Sequence, residues 1–226
     1  MNESIKNIKN AYSFRSCSKL AYPITRNDIL IRNHQREESI LQFLHKYQPT
    51  DFSKFSLLEI GCGHGYDLLN FLRIGFSATN LYGNELLLER YLEAQKILPS
   101  TVKLFNCDAC DLIFEKDSFD FIYQSMVFSS ILNKNHRRNL ADHIYYMLKP
   151  GGTLIWYDFF YDNPNNKNVK GMNKKIIKEL FPRCSLNIKR ITLAPPISRF
   201  ISNSSVYLHR FLHCFMFLRT HYFVTL

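Results

Sequence analysis

The most constraining feature of the sequence is the stretch 57–65, which reads L-L-E-I-G-C-G-H-G. Its apolar first half is typical of a short buried strand, and the residues at 67–73 have the apolar spacing of a helix. Between them stand Gly61, Gly63 and Gly65, at alternate positions. Glycines at a strand-to-helix turn permit a positive φ and let backbone N–H groups approach a ligand without a Cβ in the way. The stretch therefore predicts the floor of a nucleotide-type pocket.

Two common nucleotide motifs do not fit this turn. The dinucleotide fingerprint G-x-G-x-x-G fails because the third glycine comes one place early, and the G-K-S/T ending of a P-loop is missing. The remaining pattern, E-x-G-x-G-x-G, resembles the first motif of class I S-adenosylmethionine-dependent methyltransferases. This resemblance implies that Gly61, Cys62 and Gly63 approach the cofactor. It also implies that Glu59 organises the loop and meets the cofactor's amino group.

The rest of the chain alternates between strand and helix patterns. The patterns predict strands at 57–60, 78–83, 101–106, 118–123, 153–157, 186–193 and 221–226. Predicted helices separate them at 67–73, 86–97, 136–148 and 173–181. Such crossovers are long enough for parallel pairing. The sequence therefore predicts an α/β fold with a seven-stranded, doubly wound, mostly parallel sheet and an antiparallel last strand, with N-terminal helices and a helical insertion near the C-terminus.

Polar residues after three of these strands extend the resemblance. Glu85 follows the second strand, where the family has an acid that accepts both ribose hydroxyls of the cofactor. Asp108 and Ala109 follow the third, where an aspartate and the next N–H meet the adenine. Gln124 follows the fourth, beside the methionine part of the cofactor. Simpler roles stay open, because Glu85 is also typical of a helix N-terminus and Asp108 of a cap.

The strand block S-F-D-F-I-Y at 118–123 and the turn L-K-P-G-G at 148–152 complete the match over about residues 55–160. The resemblance implies in-line transfer of a methyl group to an oxygen or nitrogen. A hydroxyl acceptor also benefits from a general base. Asp158, at the end of the fifth strand, and His221, before the last strand, are the candidates, although a structural role is open for both. The region at 124–130 offers no acidic metal-binding set, so we expect no metal.

The length of the chain indicates its domain organisation, and its charge distribution indicates the class of substrate. At 226 residues the chain is predicted to be one domain, with an N-terminal extension or lid at 1–54, a cofactor-binding core at 55–160 and substrate-side elements at 161–226. The core is mildly acidic, whereas residues 163–226 carry 11 Lys or Arg and 1 acid. This surplus favours an anionic small-molecule acceptor, such as a glycan-linked or natural-product compound. An RNA acceptor and a non-catalytic partner subunit are the alternatives.

The cysteines, the N-terminus and the apolar segment 206–218 bear on where the protein is located. The 6 cysteines are scattered without a disulfide pattern and the N-terminus has no apolar signal core, so we expect a cytoplasmic protein. The apolar segment 206–218 is interrupted by charged and histidine residues and is too short to span a membrane. It is interpreted as a core helix, with a wall of the substrate pocket and a membrane-surface helix as alternatives. The sequence predicts no particular oligomeric state.

Overall fold

The computed structural model describes residues 3–16, 25–47, 51–164, 166–201 and 206–226. Its helices are α1 (Glu3–Ser16), α2 (Asn27–Leu44), α3 (Tyr66–Ile74), α4 (Leu88–Ile97), α5 (Lys134–Met147), α6 (Lys174–Leu180), α7 (Pro195–Ile201) and α8 (Val206–His213). Its strands are β1 (Leu57–Ile60), β2 (Leu81–Asn84), β3 (Lys103–Phe105), β4 (Phe119–Ser125), β5 (Leu148–Phe159), β6 (Asn187–Leu193) and β7 (Arg219–Thr225). None of the helices in the described ranges is long and apolar enough to cross a membrane.

The seven strands form one sheet in the order β3-β2-β1-β4-β5-β7-β6. The strands from β3 to β5 pair in parallel, and β7 pairs antiparallel with both β5 and β6. Six strands therefore run in one direction and β7 runs against them. The predicted α/β fold, with a mostly parallel sheet and an antiparallel last strand, is confirmed.

The core lies on both faces of the sheet, because neighbouring residues of the central strands point to opposite sides. Leu58 and Trp156 pack in the cluster that contains α5 and α6. Leu57 and Tyr157 pack in the other cluster, which contains α2 and α3. All four side chains are buried. Coverage of both faces leaves the carboxyl ends of the parallel strands as the exposed edge, where open α/β sheets bind ligands.

The structure corrects three sequence predictions. Residues 78–80 form a 3₁₀ turn, so β2 begins at Leu81. The predicted turn at 149–152 belongs instead to a long β5, in which a pairing irregularity accompanies Gly151 at φ 79°. The predicted helix 206–218 ends at His213 and is followed by a 3₁₀ turn over 216–218. Its interpretation as a core helix is wrong, since much of its apolar surface is exposed.

Candidate functional site

The glycine turn between β1 and α3 has the backbone shape that its sequence predicts. Gly61, Gly63 and Gly65 all adopt positive φ, at 67°, 56° and 83°. A Cβ built on Gly61 meets Val127 Cγ2 at 2.7 Å, so this glycine is required by packing. A Cβ built on Gly63 meets no heavy atom of the described residues within 4 Å. The Gly63 side of the turn therefore gives a ligand close access to the backbone.

Asn84 and Glu85, at the carboxyl end of β2, hold the turn in place. The Asn84 carbonyl accepts the Cys62 N–H at 2.8 Å, and its side-chain oxygen accepts the Gly61 N–H at 3.2 Å. Glu85 accepts the Gly63 N–H at 2.9 Å through one carboxylate oxygen and the Leu87 N–H at 2.8 Å through the other. Each oxygen keeps a further lone pair. The carboxylate predicted to bind a ribose thus lies beside the open face of the turn.

Asp108, in the loop that follows β3, pairs with a histidine from α5. Its carboxylate lies 3.0 Å from His136 Nε2 and accepts the Cys110 N–H at 2.9 Å. Although burial alone acts to raise it, these hydrogen bonds hold the pKa of Asp108 below its usual range, and the same contact raises the pKa of His136. Asp108 is therefore ionised and able to accept a further proton donor, such as an adenine amino group.

Asp108, Cys110 and His136 also form a compact set of donor atoms. One ligand atom from each lies within 4.8 Å of the others, in the described part of the chain. The carboxylate and the imidazole are already bonded to each other, and burial and the neighbouring carboxylate raise the pKa of the Cys110 thiol to about 12. The contact between Asp108 and His136 accounts for the closeness of two of the three groups.

The site at Asp108 opens into a cavity of about 1030 Å³. Asp108 and Leu86 line it, together with Asn139 of α5 and with Ile5 and Lys9 of α1. Ala109 begins a 3₁₀ turn beside it, where the first N–H groups have no partner within the helix. The cavity thus lies at the third-strand end and does not reach the glycine turn. Helix α1 covers this end through Ile5 and Lys9, whereas the sequence analysis predicted only an N-terminal extension or lid.

Glu59 lies inside the protein with an incomplete set of partners. Its side chain is buried within β1, and its Oε2 has no hydrogen-bond partner among the residues described. Burial, together with the neighbouring Asp67 carboxylate, raises the pKa of Glu59 well above its usual value. A buried oxygen without a donor is costly. An ammonium group of a ligand at this position would complete it, which fits the predicted contact with the cofactor's amino group.

Sequence reasoning missed the arginine that accompanies these acids. Arg36 of α2 donates to Asp67 at 2.6 Å and to the Ser125 hydroxyl at 3.2 Å. Asp67, near the start of α3, also accepts the Tyr123 hydroxyl at 3.1 Å. Helix α2 therefore reaches the carboxyl ends of β1 and β4. Arg36 falls in the polar run N-H-Q-R-E-E-S, and nothing in that run distinguishes a buried arginine from a solvated one.

Gln124 organises the loop that follows β4. Its side chain is fully buried, and its Oε1 accepts the Val127 N–H at 3.0 Å. Within that loop Met126 adopts a positive φ of 64°, which is a strained conformation for a residue with a side chain. Val127 in turn packs on Gly61, as the built Cβ shows. Gln124 therefore lies beside the glycine turn and fixes the strained loop, which the structure brings next to the predicted cofactor site.

The two predicted bases lie on adjacent strands, β5 and β7. Asp158 is fully buried and accepts the Ser129 N–H at 3.0 Å, and burial raises its pKa to about 7. His221 is also buried and stacks on the Tyr157 ring, with the ring centroids 5.1 Å apart. Burial and the positive charges of Arg32 and Arg36 lower the pKa of His221 to about 3. His221 is therefore neutral near pH 7, whereas Asp158 titrates in that range.

A doubly wound sheet with a glycine turn and acids at the carboxyl ends of β1, β2 and β3 is typical of enzymes that bind a nucleoside cofactor. The chain belongs to the methyltransferase-domain family, whose family model matches residues 32–176. It is a methyltransferase that uses S-adenosylmethionine. No curated protein sequence matches the chain significantly.

Solved structures share the fold at low sequence identity. A geranyl diphosphate C-methyltransferase from Streptomyces coelicolor A3(2) superposes with a TM-score of 0.67 at 13% identity, covering 99% of this chain and 96% of its own. Magnesium protoporphyrin IX methyltransferase from Synechocystis PCC 6803 gives a TM-score of 0.65 at 13% identity, covering 100% and 97%. An S-adenosylmethionine-dependent methyltransferase from Mesorhizobium loti gives 0.58 at 15% identity, covering 85% and 98%.

Proposed function

We propose that this methyltransferase transfers the methyl group of S-adenosylmethionine to an oxygen or nitrogen of a small anionic acceptor, such as a glycan-linked or natural-product compound. The observation that carries the proposal is the row of acids at the carboxyl ends of β1, β2 and β3: Glu59 and Glu85 are buried, Asp108 is half-buried, and Glu85 accepts the Gly63 N–H. Basic side chains of α2 stand over the same edge.

In this proposal each acid binds one part of the cofactor. Glu59 accepts from the ammonium group through its unpartnered Oε2, Glu85 accepts from the ribose hydroxyls, and Asp108 accepts from the adenine amino group. Gly61, Cys62 and Gly63 supply the backbone approach, Ala109 offers its N–H, and Gln124 fixes the loop beside the methionine part. When bound, the sulfonium supplies an electrophilic methyl group. The protein's task is to hold it in line with the acceptor, which lowers barriers by roughly 7–11 kcal/mol in well-oriented reactions.

The acceptor side is positively charged. Arg32 and Arg36 are one helical turn apart on α2, and both act electrostatically on Tyr157 and His221, at the ends of β5 and β7. Cations at a pocket mouth favour an anionic acceptor and speed its association. The Streptomyces coelicolor neighbour, crystallised with geranyl diphosphate, is a methyltransferase of the same fold in complex with a small anion.

Of the two predicted bases, we infer that Asp158 is the better candidate because of its pKa. A general base works best when its pKa is close to the operating pH, and burial raises the pKa of Asp158 to about 7. His221, whose pKa is lowered to about 3, is a weak base. Asp158 lies directly below the loop at 126–130 through its contact with Ser129. Movement of that loop would be needed before the carboxylate could touch an acceptor.

We place the reaction in the cytoplasm. The five cysteines in the described ranges are all free, although Cys107 and Cys110 are only three residues apart. Unpaired thiols are typical of a reducing compartment. The basic last third favours a second candidate acceptor, RNA, and the acceptor experiment below distinguishes the two.

The cofactor assignment is tested by calorimetry with S-adenosylmethionine. Glu85→Ala removes the carboxylate from the open face of the turn, so we expect affinity to fall by about 100-fold, as for loss of a charged hydrogen-bonding partner. Glu93→Ala is the matched control, because Glu93 lies near the same turn but pairs with His64 at 3.1 Å on the surface. An unchanged affinity for Glu85→Ala would contradict the assignment.

The acceptor is tested by transfer of a labelled methyl group into fractionated cell extract. We expect label in small anionic compounds that an anion exchanger retains, and its loss with Arg32→Met. Label in the RNA fraction, abolished by ribonuclease, would replace the small-molecule acceptor with RNA. Label in neutral compounds, unaffected by Arg32→Met, would contradict the anionic acceptor while leaving the cofactor site intact.

A further inference from the structure

The connection between β6 and β7 lies at the same edge of the sheet as the candidate site. Strand β6 runs in the direction of β5, because both pair antiparallel with β7. The chain that leaves β6 therefore starts at the carboxyl edge. Its described parts are α7, α8 and the 3₁₀ turn at 216–218, which we call the β6–β7 segment. Helix α7 also packs against α2, the helix that carries Arg36.

The outer surface of the β6–β7 segment is aromatic. Tyr207, Phe211 and Phe217 are 82%, 61% and 72% exposed. Phe215 joins the last two, with ring centroids 5.4 Å from Phe211 and 5.8 Å from Phe217. On α7, Phe200 is 85% exposed. Large apolar side chains that form a continuous exposed surface mark an interaction site, whereas single ones need no explanation.

Hydrogen bonds hold the inner surface of the β6–β7 segment against the rest of the protein. The aromatic side chains therefore face outward in a fixed arrangement. His209 of α8 and Ser198 of α7 are both buried and share a hydrogen bond of 3.0 Å. Arg219, at the start of β7, donates to the His213 carbonyl at 2.8 Å and to the Arg190 carbonyl at 2.9 Å. These bonds fasten both helices to each other and α8 to the sheet. Helical spacing then places Tyr207, opposite His209, on the outer face.

The positive charge of this part of the chain indicates an anionic partner. The last acidic residue of the chain is Glu179, and the 47 residues after it contain 6 Lys or Arg. Two of them, Arg199 and Arg210, are exposed on the β6–β7 segment itself. An aromatic face flanked by arginines, with no acid among the described residues of the segment itself, matches the interface of an anionic lipid bilayer.

We propose that the protein docks on anionic membranes through the β6–β7 segment, as a peripheral protein that inserts aromatic side chains between lipid headgroups. The apolar character of the surface favours a bilayer over RNA, since exposed aromatic and aliphatic side chains there outnumber its two exposed arginines. The positive charge favours a bilayer over a second copy of the same surface, because two such surfaces repel each other. Docking turns the acceptor side of the sheet toward the membrane. This inference does not depend on the proposed acceptor.

Vesicle co-sedimentation of the full chain tests the proposal. We expect binding to phosphatidylcholine vesicles that contain phosphatidylglycerol, and much weaker binding to phosphatidylcholine alone. The double variant Phe211→Ser, Phe217→Ser is expected to lose at least about tenfold in partition, because it removes two aromatic side chains from the interface. Ile113→Ser is the matched control, since Ile113 is 95% exposed between β3 and β4, near the opposite end of the sheet. Equal losses in both variants would overturn the proposal.

A second pair of variants tests the charge. Arg199→Glu with Arg210→Glu is expected to lower binding to anionic vesicles by about tenfold or more, at roughly 1 kcal/mol per cation near the surface and a similar repulsion from each new acid. Lys96→Glu with Lys116→Glu makes the same charge change on the far side of the sheet and is expected to have a small effect. Light scattering that shows a dimer broken by the Phe211 and Phe217 substitutions would overturn the proposal. Tighter binding to RNA than to vesicles, lost in the same arginine variant, would overturn it also.

Discussion

An aspartate at the amino edge of the sheet and one at the carboxyl edge have pKa values shifted in opposite directions. At the amino edge, Asp120 in β4 accepts from the Ser56 N–H at 2.8 Å and pairs with Lys149 at 2.8 Å. Although burial opposes the change, these partners lower the pKa of Asp120 below its usual value. At the carboxyl edge, Asp158 in β5 has backbone N–H partners from Ser129 and Phe159, and burial raises its pKa to about 7.

We interpret Asp120 as a structural acid and Asp158 as a candidate site acid. Asp120 joins the starts of β1, β4 and β5 with its charge compensated by Lys149, which stabilises the ionised form. Asp158 and Glu59 carry carboxylates whose burial disfavours ionisation, and Glu59 leaves one oxygen without a donor. Such acids cost stability and are typical of sites where a ligand or a proton completes them. The comparison predicts opposite responses to pH at the two edges.

The largest expected effect is at Asp158. Because its folded-state pKa is about 7 and its unfolded value about 4, the folded protein holds the proton more tightly between them. Ionisation therefore destabilises the fold as pH rises through this window. We expect Asp158 to contribute a loss of about 3 kcal/mol in the free energy of unfolding between about pH 5 and about pH 8. This loss should disappear in Asp158→Asn, as measured by urea unfolding at both pH values.

The quantity to compare is the change with pH in each protein, because other carboxylates titrate in both. In Asp158→Asn, one of the two oxygens that accept backbone N–H groups becomes an NH₂ donor. This loss changes the stability of the variant at every pH, so its stability at a single pH does not report on ionisation. Parallel pH dependence in wild type and Asp158→Asn would show that Asp158 is not held protonated and would remove the contrast with Asp120.

The next effect is at Arg36. Its guanidinium offsets the charge of Asp67 and lies close to Glu59, so Arg36→Met leaves buried acids without a cation. Loss of one partner from a fully buried pair costs ~3–5 kcal/mol; the Arg36 side chain is 16% exposed, so we expect about 2 kcal/mol in urea unfolding. Affinity for S-adenosylmethionine should also fall.

Arg73→Met is the matched control for Arg36. Arg73 also joins α3 to α2, through Glu37, but its side chain is 67% exposed. Exposed pairs contribute ~0–1 kcal/mol, so the control should change neither stability nor cofactor affinity appreciably. Equal destabilisation by both substitutions would mean that Arg36 acts only as a surface contact.

A smaller and opposite effect is expected at the amino edge. Asp120→Asn removes the charge that pairs with Lys149 and weakens the contacts with Ser56, at a cost of about 1 kcal/mol. Because the pKa of Asp120 is lowered in the folded state, its contribution is present above the unfolded pKa of about 4 and is lost as pH falls below it. Urea unfolding should show the cost near neutral pH and not in acid. A change in cofactor affinity would contradict its structural assignment.

The sequence predicted the fold better than the side-chain partners of the site. Alternation of apolar runs and helical spacing was enough to predict all seven strands, since those signals are local. The antiparallel direction of β7 was predicted from the connection before it, which returns along the sheet. The glycine turn was equally clear, because glycines at alternate positions after a strand are typical of a turn with positive φ. The pairing of Asp108 with His136 and of Asp67 with Arg36 depends on tertiary packing across 28 and 31 residues, which no local pattern specifies.

The segment 206–218 shows where the pattern misleads. Apolar residues at helical spacing predict a buried face, and α8 forms as expected. The same spacing occurs whether the face packs inside the protein or against a partner outside it. His209 turned out to be the buried residue and Phe211 the exposed one, the reverse of their hydrophobicity. A single sequence cannot distinguish these outcomes.

The smallest effect is expected at His64, inside the glycine turn itself. Its imidazole lies 3.1 Å from Glu93, and the two side chains are 43% and 36% exposed, so the contact is a surface pair. We expect His64→Ala to leave affinity for S-adenosylmethionine within about twofold, because in the proposed site the cofactor contacts the backbone of the turn and Glu85. The measurement is calorimetry beside Glu85→Ala. A loss in His64→Ala as large as in Glu85→Ala would mean that side chains of the turn, and not only the acids at the strand ends, bind the cofactor.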